Sequence, residues 1–221
     1  MSNPLDAVAP LDNERSQRQV RWLRDQAKGR RVLDVGCGSG RIATPLSEAG
    51  VELVAVDNCA QVLARCADNA PGATCVLQDM RQLDMAPASF DMVCCLGNTF
   101  CLLHDVREAV CVMKEWSSLL RRGGVIVIDD IPHDIWCELT DGNWTSGVAD
   151  DGRQLVWDAC DAVFALRDVA DDARGPLLDA ADRRMRLWTM GALRLLAQAA
   201  GLAGPAHESD GAVLVFSDPG M

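Results

Sequence analysis

The chain has 221 residues, enough to bury a sizeable core without disulfide or metal staples. Its formal charge is −11, and Lys28 and Lys114 are its only lysines, which argues against a polyanion such as DNA or RNA as the main partner, because phosphate contacts need clustered Lys and Arg. The ten cysteines contain no C-x-x-C pair, and His104, His133 and His207 do not sit among them at zinc-finger spacing, so neither a zinc site nor a redox pair is expected.

Residues 1–13 lack the basic and apolar regions of a signal peptide, and no apolar run reaches the roughly 18 residues of a membrane span. The expectation is a reduced, cytoplasmic protein that contacts no membrane. Cys94, Cys95 and Cys101 lie in or beside an apolar run and read as small buried hydrophobes.

In chain order, an Arg-rich segment (Arg15, Arg18, Arg21, Arg24) comes first. Arg15 and Arg24 fall on opposite faces of a helix, so the segment reads as a solvated helix covering the site rather than a basic stripe. Arg31–Val35 is a short strand, followed by a helix over 41–49 that Gly50 stops. A second strand over 52–56, a helix over 61–69 halted by Pro71-Gly72, and a third strand over Thr74–Leu77 follow. Residues 90–96 form a fourth strand, apolar on both faces. Asp105 caps a helix carrying Val106, Val110, Met113, Trp116 and Leu120, and Gly123-Gly124 ends it before a fifth strand over 125–128. Strands separated by helices predict parallel βαβ units in a doubly wound α/β sheet.

The pattern then changes. Residues 131–188 are rich in Trp and Asp, and the stretches 153–159 and 183–188 alternate as half-buried antiparallel strands do. They predict a small antiparallel cap inserted after the fifth strand. Thr189 caps a helix to Ala200, Gly201 stops it, and residues 212–216 close the chain as a strand. The expected organisation is a cofactor-binding core over 1–130, a substrate cap over 131–188, and a C-terminal part over 189–221 that completes the core sheet.

The chemistry concentrates in Val32-Leu-Asp-Val-Gly-Cys-Gly-Ser-Gly-Arg41, at the turn from first strand to first helix. Glycines there let backbone approach a nucleotide closely. A nicotinamide-binding loop would have its third glycine at position 41, which is Arg; the glycines are Gly36, Gly38 and Gly40. Asp34 would repel a pyrophosphate and favour the cationic ammonium and sulfonium of S-adenosylmethionine.

This block resembles the first motif of class I S-adenosylmethionine-dependent methyltransferases. The resemblance covers about residues 31–129 and implies the seven-stranded, mostly parallel sheet of that class. By it, Asp34, Gly36, Cys37, Gly38 and Gly40 form the cofactor loop, and Asp57 with Asn58 meets the ribose hydroxyls. Asp79 accepts from the adenine amino group with Met80 beside the ring, and Leu96 and Gly97 complete the cofactor site. The cofactor implied is S-adenosyl-L-methionine, leaving as S-adenosyl-L-homocysteine, with no metal.

Cys95-Leu-Gly-Asn-Thr-Phe100 resembles the LGNSF stretch of glycine N-methyltransferase-like and related small-molecule enzymes, and lacks the N/D-P-P-Y/F of nucleic-acid amino methyltransferases. Asn98 would then stand where donor and acceptor meet. Residues 183–202 resemble the RLRLYTPAELRALLEAAGF end of bacterial small-molecule methyltransferases, with Trp188 replacing Tyr.

Methyl transfer needs alignment more than acid–base help, since the sulfonium is an activated leaving group; proximity alone is worth about 7–11 kcal/mol. If a base is needed, the candidates are His133 and Asp130 past the fifth strand and His104 past the fourth. Asn98, His133, Trp136 and Trp144 are the candidate substrate contacts; Trp157 and Trp188 could also serve as aromatic wall, but a small core for the cap strands fits them at least as well. The expectation is methyl transfer to nitrogen or oxygen of a small molecule by a monomer or homodimer. The alternatives are a tRNA-modifying methyltransferase and a non-catalytic ligand-binding protein on the same fold.

Overall fold

Strands that are apolar on both faces build this protein as a sheet between two cores. The computed structural model describes residues 13–129, 153–158, 161–168, 177–209 and 212–217. Its elements are α1 (Asn13–Gln26), β1 (Arg31–Val35), α2 (Ala43–Glu48), β2 (Glu52–Asp57), α3 (Ala60–Asn69), β3 (Thr74–Leu77) and β4 (Phe90–Cys95). A 3₁₀ turn (Thr99–Leu102), α4 (Val106–Leu119), β5 (Leu120–Asp129), β6 (Arg153–Asp158), β7 (Val163–Asp168) and β8 (Met185–Arg186) follow. The chain finishes with α5 (Met190–Ala200), β9 (Ala203–Glu208) and β10 (Val213–Ser217).

Seven strands form one sheet in the order β3-β2-β1-β4-β5-β10-β9. β3, β2, β1, β4 and β5 pair in parallel, while β10 runs antiparallel to both β5 and β9. This is the doubly wound α/β sheet that the alternating strands and helices predict, with the seven mostly parallel strands that the resemblance implies. Strand order reverses between β1 and β4, and ligands of open α/β sheets bind at the carboxyl ends of the strands at that switch. A separate three-stranded antiparallel sheet, β6-β7-β8, is the small cap sheet.

Period-two alternation decides which side chain meets which core. Phe90, Val93, Cys95, Ile126 and Ile128 face α4 and α5, packing with Trp116, Phe100, Leu193 and Leu196. Val32, Met92, Cys94 and Val127 face α1 to α3, packing with Leu23, Leu46 and Leu63. Asp34 and Asp129 are in register with Val32 and Val127, so both carboxylates fall on the face that α1 covers. The cap sheet has a cluster of its own, where Phe164, Met185 and Leu187 meet Cys101 of the 3₁₀ turn.

The helix starts follow the predicted caps. Asp105 accepts from the backbone N–H groups of Arg107 (2.7 Å) and Glu108 (3.0 Å), and Thr189 Oγ1 accepts from Ala192 N at 3.2 Å. Three expectations differ. The helix after Asp105 ends at Leu119, and Gly123-Gly124 lies inside β5, because Leu120 already pairs with Phe90. Of the stretch 183–188 only Met185–Arg186 is a strand, and its partner β7 has no counterpart among the predicted elements. α1 is no surface rod: it sinks Gln19 and Leu23 fully into the protein.

Candidate cofactor and acceptor site

The loop after β1 is shaped by what can and cannot stand at its glycines. Gly36 has φ +71°, and a Cβ there would lie 2.4 Å from Thr99 Cγ2, so the loop packs directly against the turn after β4. Gly38 also has positive φ (+55°), but a Cβ there would meet nothing within 4 Å. One glycine closes the loop onto the protein; the other leaves open space beside the backbone, as a cradle for a ligand requires. The N–H groups of Gly36 and Cys37 both donate to Val56 O, at 2.8 and 3.0 Å, which pins the loop to β2. Cys37 is buried, and burial with the nearby Asp34 charge pushes its thiol far above the usual range, so it packs as an inert hydrophobe.

Asp34 is 2% exposed, and its Oδ2 has no hydrogen-bond partner among the described residues. Burial raises its pKa to about 7, although the Arg41 guanidinium opposes the rise. Arg41 opens the stretch into α2, and its Nη1 donates to Ser16 Oγ (3.1 Å) and Gln19 Oε1 (3.0 Å) of α1. Its Nη2 is buried without a partner among the described residues. A carboxylate oxygen and a guanidinium nitrogen thus stand buried and unsatisfied beside the glycine loop. Such groups cost about 1–3 kcal/mol each unless something completes them.

The acids after β2 and β3 are already shaped by the fold. Asp57 Oδ2 accepts from Gly38 N and Oδ1 from Cys59 N, both at 2.9 Å, so this carboxylate braces the glycine loop and retains one lone pair per oxygen. Asn58 gives its amide to Asp79 Oδ2 at 3.0 Å. Asp79 Oδ1 accepts from Arg81 N at 3.0 Å and from the Arg81 guanidinium at 3.2 Å. Partial burial works upward on Asp79, but these hydrogen bonds outweigh it and hold the carboxyl below its usual range. Met80 is buried, with its carbonyl accepting from Trp116 Nε1 at 3.2 Å.

At the end of β4, Leu96 and Gly97 lead into Asn98, which adopts the left-handed region (φ +56°) that Asn tolerates best among non-glycine residues. The buried Asn98 backbone N–H donates to Asp129 Oδ2. The other Asp129 oxygen accepts from Gln19 Nε2 at 2.6 Å, and Gln19 Nε2 also reaches Ala212 O at 2.9 Å. Burial raises the Asp129 pKa against the pull of Arg41, Asn98 N, Gln19 and Arg15. A pocket opens over this turn, lined by Asn98, Phe100, Cys101, Ile128, Asp129, Trp188 and Leu193.

The structure therefore gathers Asp34, Gly36, Cys37, Gly38, Gly40, Asp57, Asn58, Asp79, Met80, Leu96, Gly97 and Asn98 along the carboxyl edge of β1 to β4. Asp130, His133, Trp136 and Trp144 lie outside the described residues. His104 is half-buried beyond the 3₁₀ turn; its carbonyl accepts from Arg186 Nε at 2.6 Å, and it does not line the pocket. Sequence reasoning missed Gln19, Arg41, Thr99, Asp129 and Trp188 as site-forming residues. Asp129 was legible as the end of the fifth strand and Arg41 as the break in a glycine pattern. Gln19 carries no signal, because a glutamine in a polar helix looks solvated.

Comparison with known proteins agrees with this geometry. The profile of a family described as "Methyltransferase domain" matches residues 32–124. A glycine/sarcosine N-methyltransferase of Aphanothece halophytica is 31% identical over 111 residues, 48% of this chain and 42% of that protein. A ubiquinone biosynthesis O-methyltransferase of Idiomarina loihiensis is 28% identical over 140 residues, 58% of this chain and 51% of that protein. The chain thus spans about half the length of the curated relatives it matches. The sugar N-methyltransferase KedS8 from Streptoalloteichus superposes with a TM-score of 0.67 at 20% identity, covering 99% of this chain and 94% of that one, a likeness of fold. The matched profile lies across the glycine loop and β1 to β5, so this part of the chain is similar to a methyltransferase domain, and the fold is similar to that of KedS8.

Proposed function

We propose that this protein transfers the methyl group of S-adenosylmethionine to a nitrogen or oxygen atom of a small molecule. The observation that carries the reading is Asp34 Oδ2, a buried carboxylate oxygen without a partner among the described residues, beside a glycine loop with open space at Gly38. An orphaned acceptor suits a cationic ligand, and the unpartnered Arg41 Nη2 beside it suits an anionic one. Together they fit the ammonium and carboxylate of an amino-acid moiety, whereas the Asp34 carboxylate would repel a pyrophosphate. When bound, the cofactor supplies a methyl group on a good leaving group.

The protein's own residues hold and orient. Asp57 fixes Gly38 and keeps free lone pairs for a diol. Asn98, held in its turn by Asp129, lines the pocket at the carboxyl edge. Asp129 is not the base in this reading, since each of its oxygens is engaged. Should the acceptor enter protonated, His133 or Asp130 takes the proton. The names of the relatives, acting on glycine, sarcosine, a ubiquinone precursor step and a sugar, support a small acceptor without selecting one. The net charge of −11 weighs against tRNA.

Calorimetric titration with S-adenosylmethionine and S-adenosylhomocysteine, with NADH as control, tests the reading. Micromolar binding of both sulfur ligands and none of NADH is expected. Binding of neither would sink it and leave a retired fold. A second arm offers the loaded protein a panel of small amines and hydroxyl compounds beside unmodified tRNA, with methyl transfer expected only to the former.

A further inference from the structure

Two tryptophans contact Phe100, and they differ in one respect. Trp116 lies with its ring 6.1 Å from that of Phe100, fully buried, and its Nε1 donates to Met80 O at 3.2 Å. Trp188 lies 5.6 Å from the Phe100 ring and is 4% exposed, yet its Nε1 is buried with no hydrogen-bond partner among the described residues. Buried indole N–H groups normally find an acceptor, so this exception asks for one.

The groups that fix the Trp188 ring cannot supply it. Arg186 stands over the ring, 5.4 Å from its centroid, and carries donors only. That guanidinium is itself tied down, giving Nε to His104 O and Nη1 to Asp161 O, both at 2.6 Å. Phe100, Leu193 and Ile128 are hydrocarbon. Asp129 and Asn98 are the pocket's polar side chains; the Asp129 oxygens accept from Gln19 Nε2 and Asn98 N, and neither side chain bonds the indole nitrogen. The indole therefore forms part of the wall of a mainly apolar pocket, held in place, with a donor to spare.

We infer that Trp188 sets acceptor specificity: its indole N–H donates to an oxygen of the methyl acceptor, which is a compact, largely apolar molecule bearing a carbonyl, ether or hydroxyl oxygen. A protonated amine with no oxygen has no lone pair to offer this N–H and is disfavoured. The inference rests on the pocket over Asn98 being the acceptor site of the function proposed above. It also gives meaning to the replacement of Tyr by Trp in the stretch before α5, since the position keeps a polar hydrogen on an aromatic body.

The test uses protein labelled with ¹⁵N in its tryptophan indoles and saturated with S-adenosylhomocysteine. The probes are acetophenone and its near-isostere α-methylstyrene, which replaces the carbonyl oxygen with a methylene. The Trp188 Nε1–H resonance is identified by its absence in Trp188→Phe. Acetophenone is expected to shift that resonance saturably downfield, and α-methylstyrene to leave it nearly in place. Acetophenone should bind about tenfold more tightly than α-methylstyrene, and Trp188→Phe should abolish the preference. The inference is overturned if acetophenone leaves the resonance unmoved, if both probes move it alike, or if the preference survives in Trp188→Phe. The wild-type shift reads the contact even if that variant folds poorly. Failure to bind S-adenosylhomocysteine would instead defeat the methyltransferase reading, and the acetophenone titration of the free protein would still report on Trp188.

Discussion

Gln19 of α1 and Asp129 at the end of β5, 110 positions apart in the chain, are joined by a 2.6 Å hydrogen bond between fully buried partners. The same Nε2 also donates to Ala212 O, Gln19 Oε1 accepts from Arg41, and through Asp129 the side chain acts on the Asn98 turn. One amide thus couples the N-terminal helix to the loop after β1, the turn after β4 and the start of β10.

Gln19→Leu keeps the volume of this side chain and removes all three hydrogen bonds. It leaves a buried carboxylate oxygen, a carbonyl and a guanidinium nitrogen short of partners, for a destabilisation of about 1–3 kcal/mol or more. Urea denaturation should read that loss, and S-adenosylhomocysteine affinity should fall with it because the Asn98 turn loosens. Unchanged stability would mean that α1 merely lies on the surface.

Asp34 makes stability pH-dependent in a direction opposite to that of a salt-bridged acid. Its folded pKa of about 7 lies above the unfolded value of 3.8, so the folded state keeps its proton longer than the unfolded one. Stability is therefore greatest below the unfolded pKa and declines as pH rises through the interval from about 4 to 7. Asp129, also raised by burial, adds to the same slope. Melting temperatures of the ligand-free protein should decline across that interval, and Asp34→Asn should shallow the decline. S-adenosylmethionine, which favours ionised Asp34, should bind more tightly at pH 8 than at pH 6 with release of a proton, measurable by calorimetry in buffers of different ionisation enthalpy. Asp34→Asn should lose that pH dependence.

Asp57 has a double role, and two variants separate its parts. Asp57→Ala strips acceptors from Gly38 N and Cys59 N and removes the oxygens offered to a diol. A loss of about 1.5–3 kcal/mol in S-adenosylhomocysteine binding is expected, with a smaller loss of stability. Asp57→Asn keeps one acceptor oxygen and should fall between. Equal affinity in all three proteins would remove Asp57 from the site.

The cap sheet depends on a buried ion pair. Arg167 and Asp182 side chains are each 1% exposed and pair through Arg167 Nε (2.6 Å to Asp182 Oδ1) and Nη2, which also reaches Leu177 O at 2.8 Å. Arg167→Met strands a buried carboxylate and should cost about 3–5 kcal/mol, while Arg167→Met with Asp182→Leu should recover much of it. Limited proteolysis should show the damage confined to the β6–β8 region, with cofactor affinity near wild type.

What the sequence alone determined is what depends on neighbours along the chain. Apolar runs and turn residues gave β1 to β5 and the helices between them, because strand and helix periods are local. The glycine loop, Asp34, Asp57 and Asp79 were legible because a strand end and the turn after it lie together in sequence. What joins distant segments needed the tertiary structure. β9 (Ala203–Glu208) holds a glycine and a proline and is mostly exposed; it is a strand because the edge of β10 offers it a ladder. β7 takes its place from pairing with β6 and β8. Gln19, Arg41 and Arg167 look like solvated residues in sequence, and burial beside Asp129, Asp34 and Asp182 makes them structural. Trp188 reads in sequence as core or wall; that its indole nitrogen lies buried without an acceptor among the described residues is a property of everything packed around it.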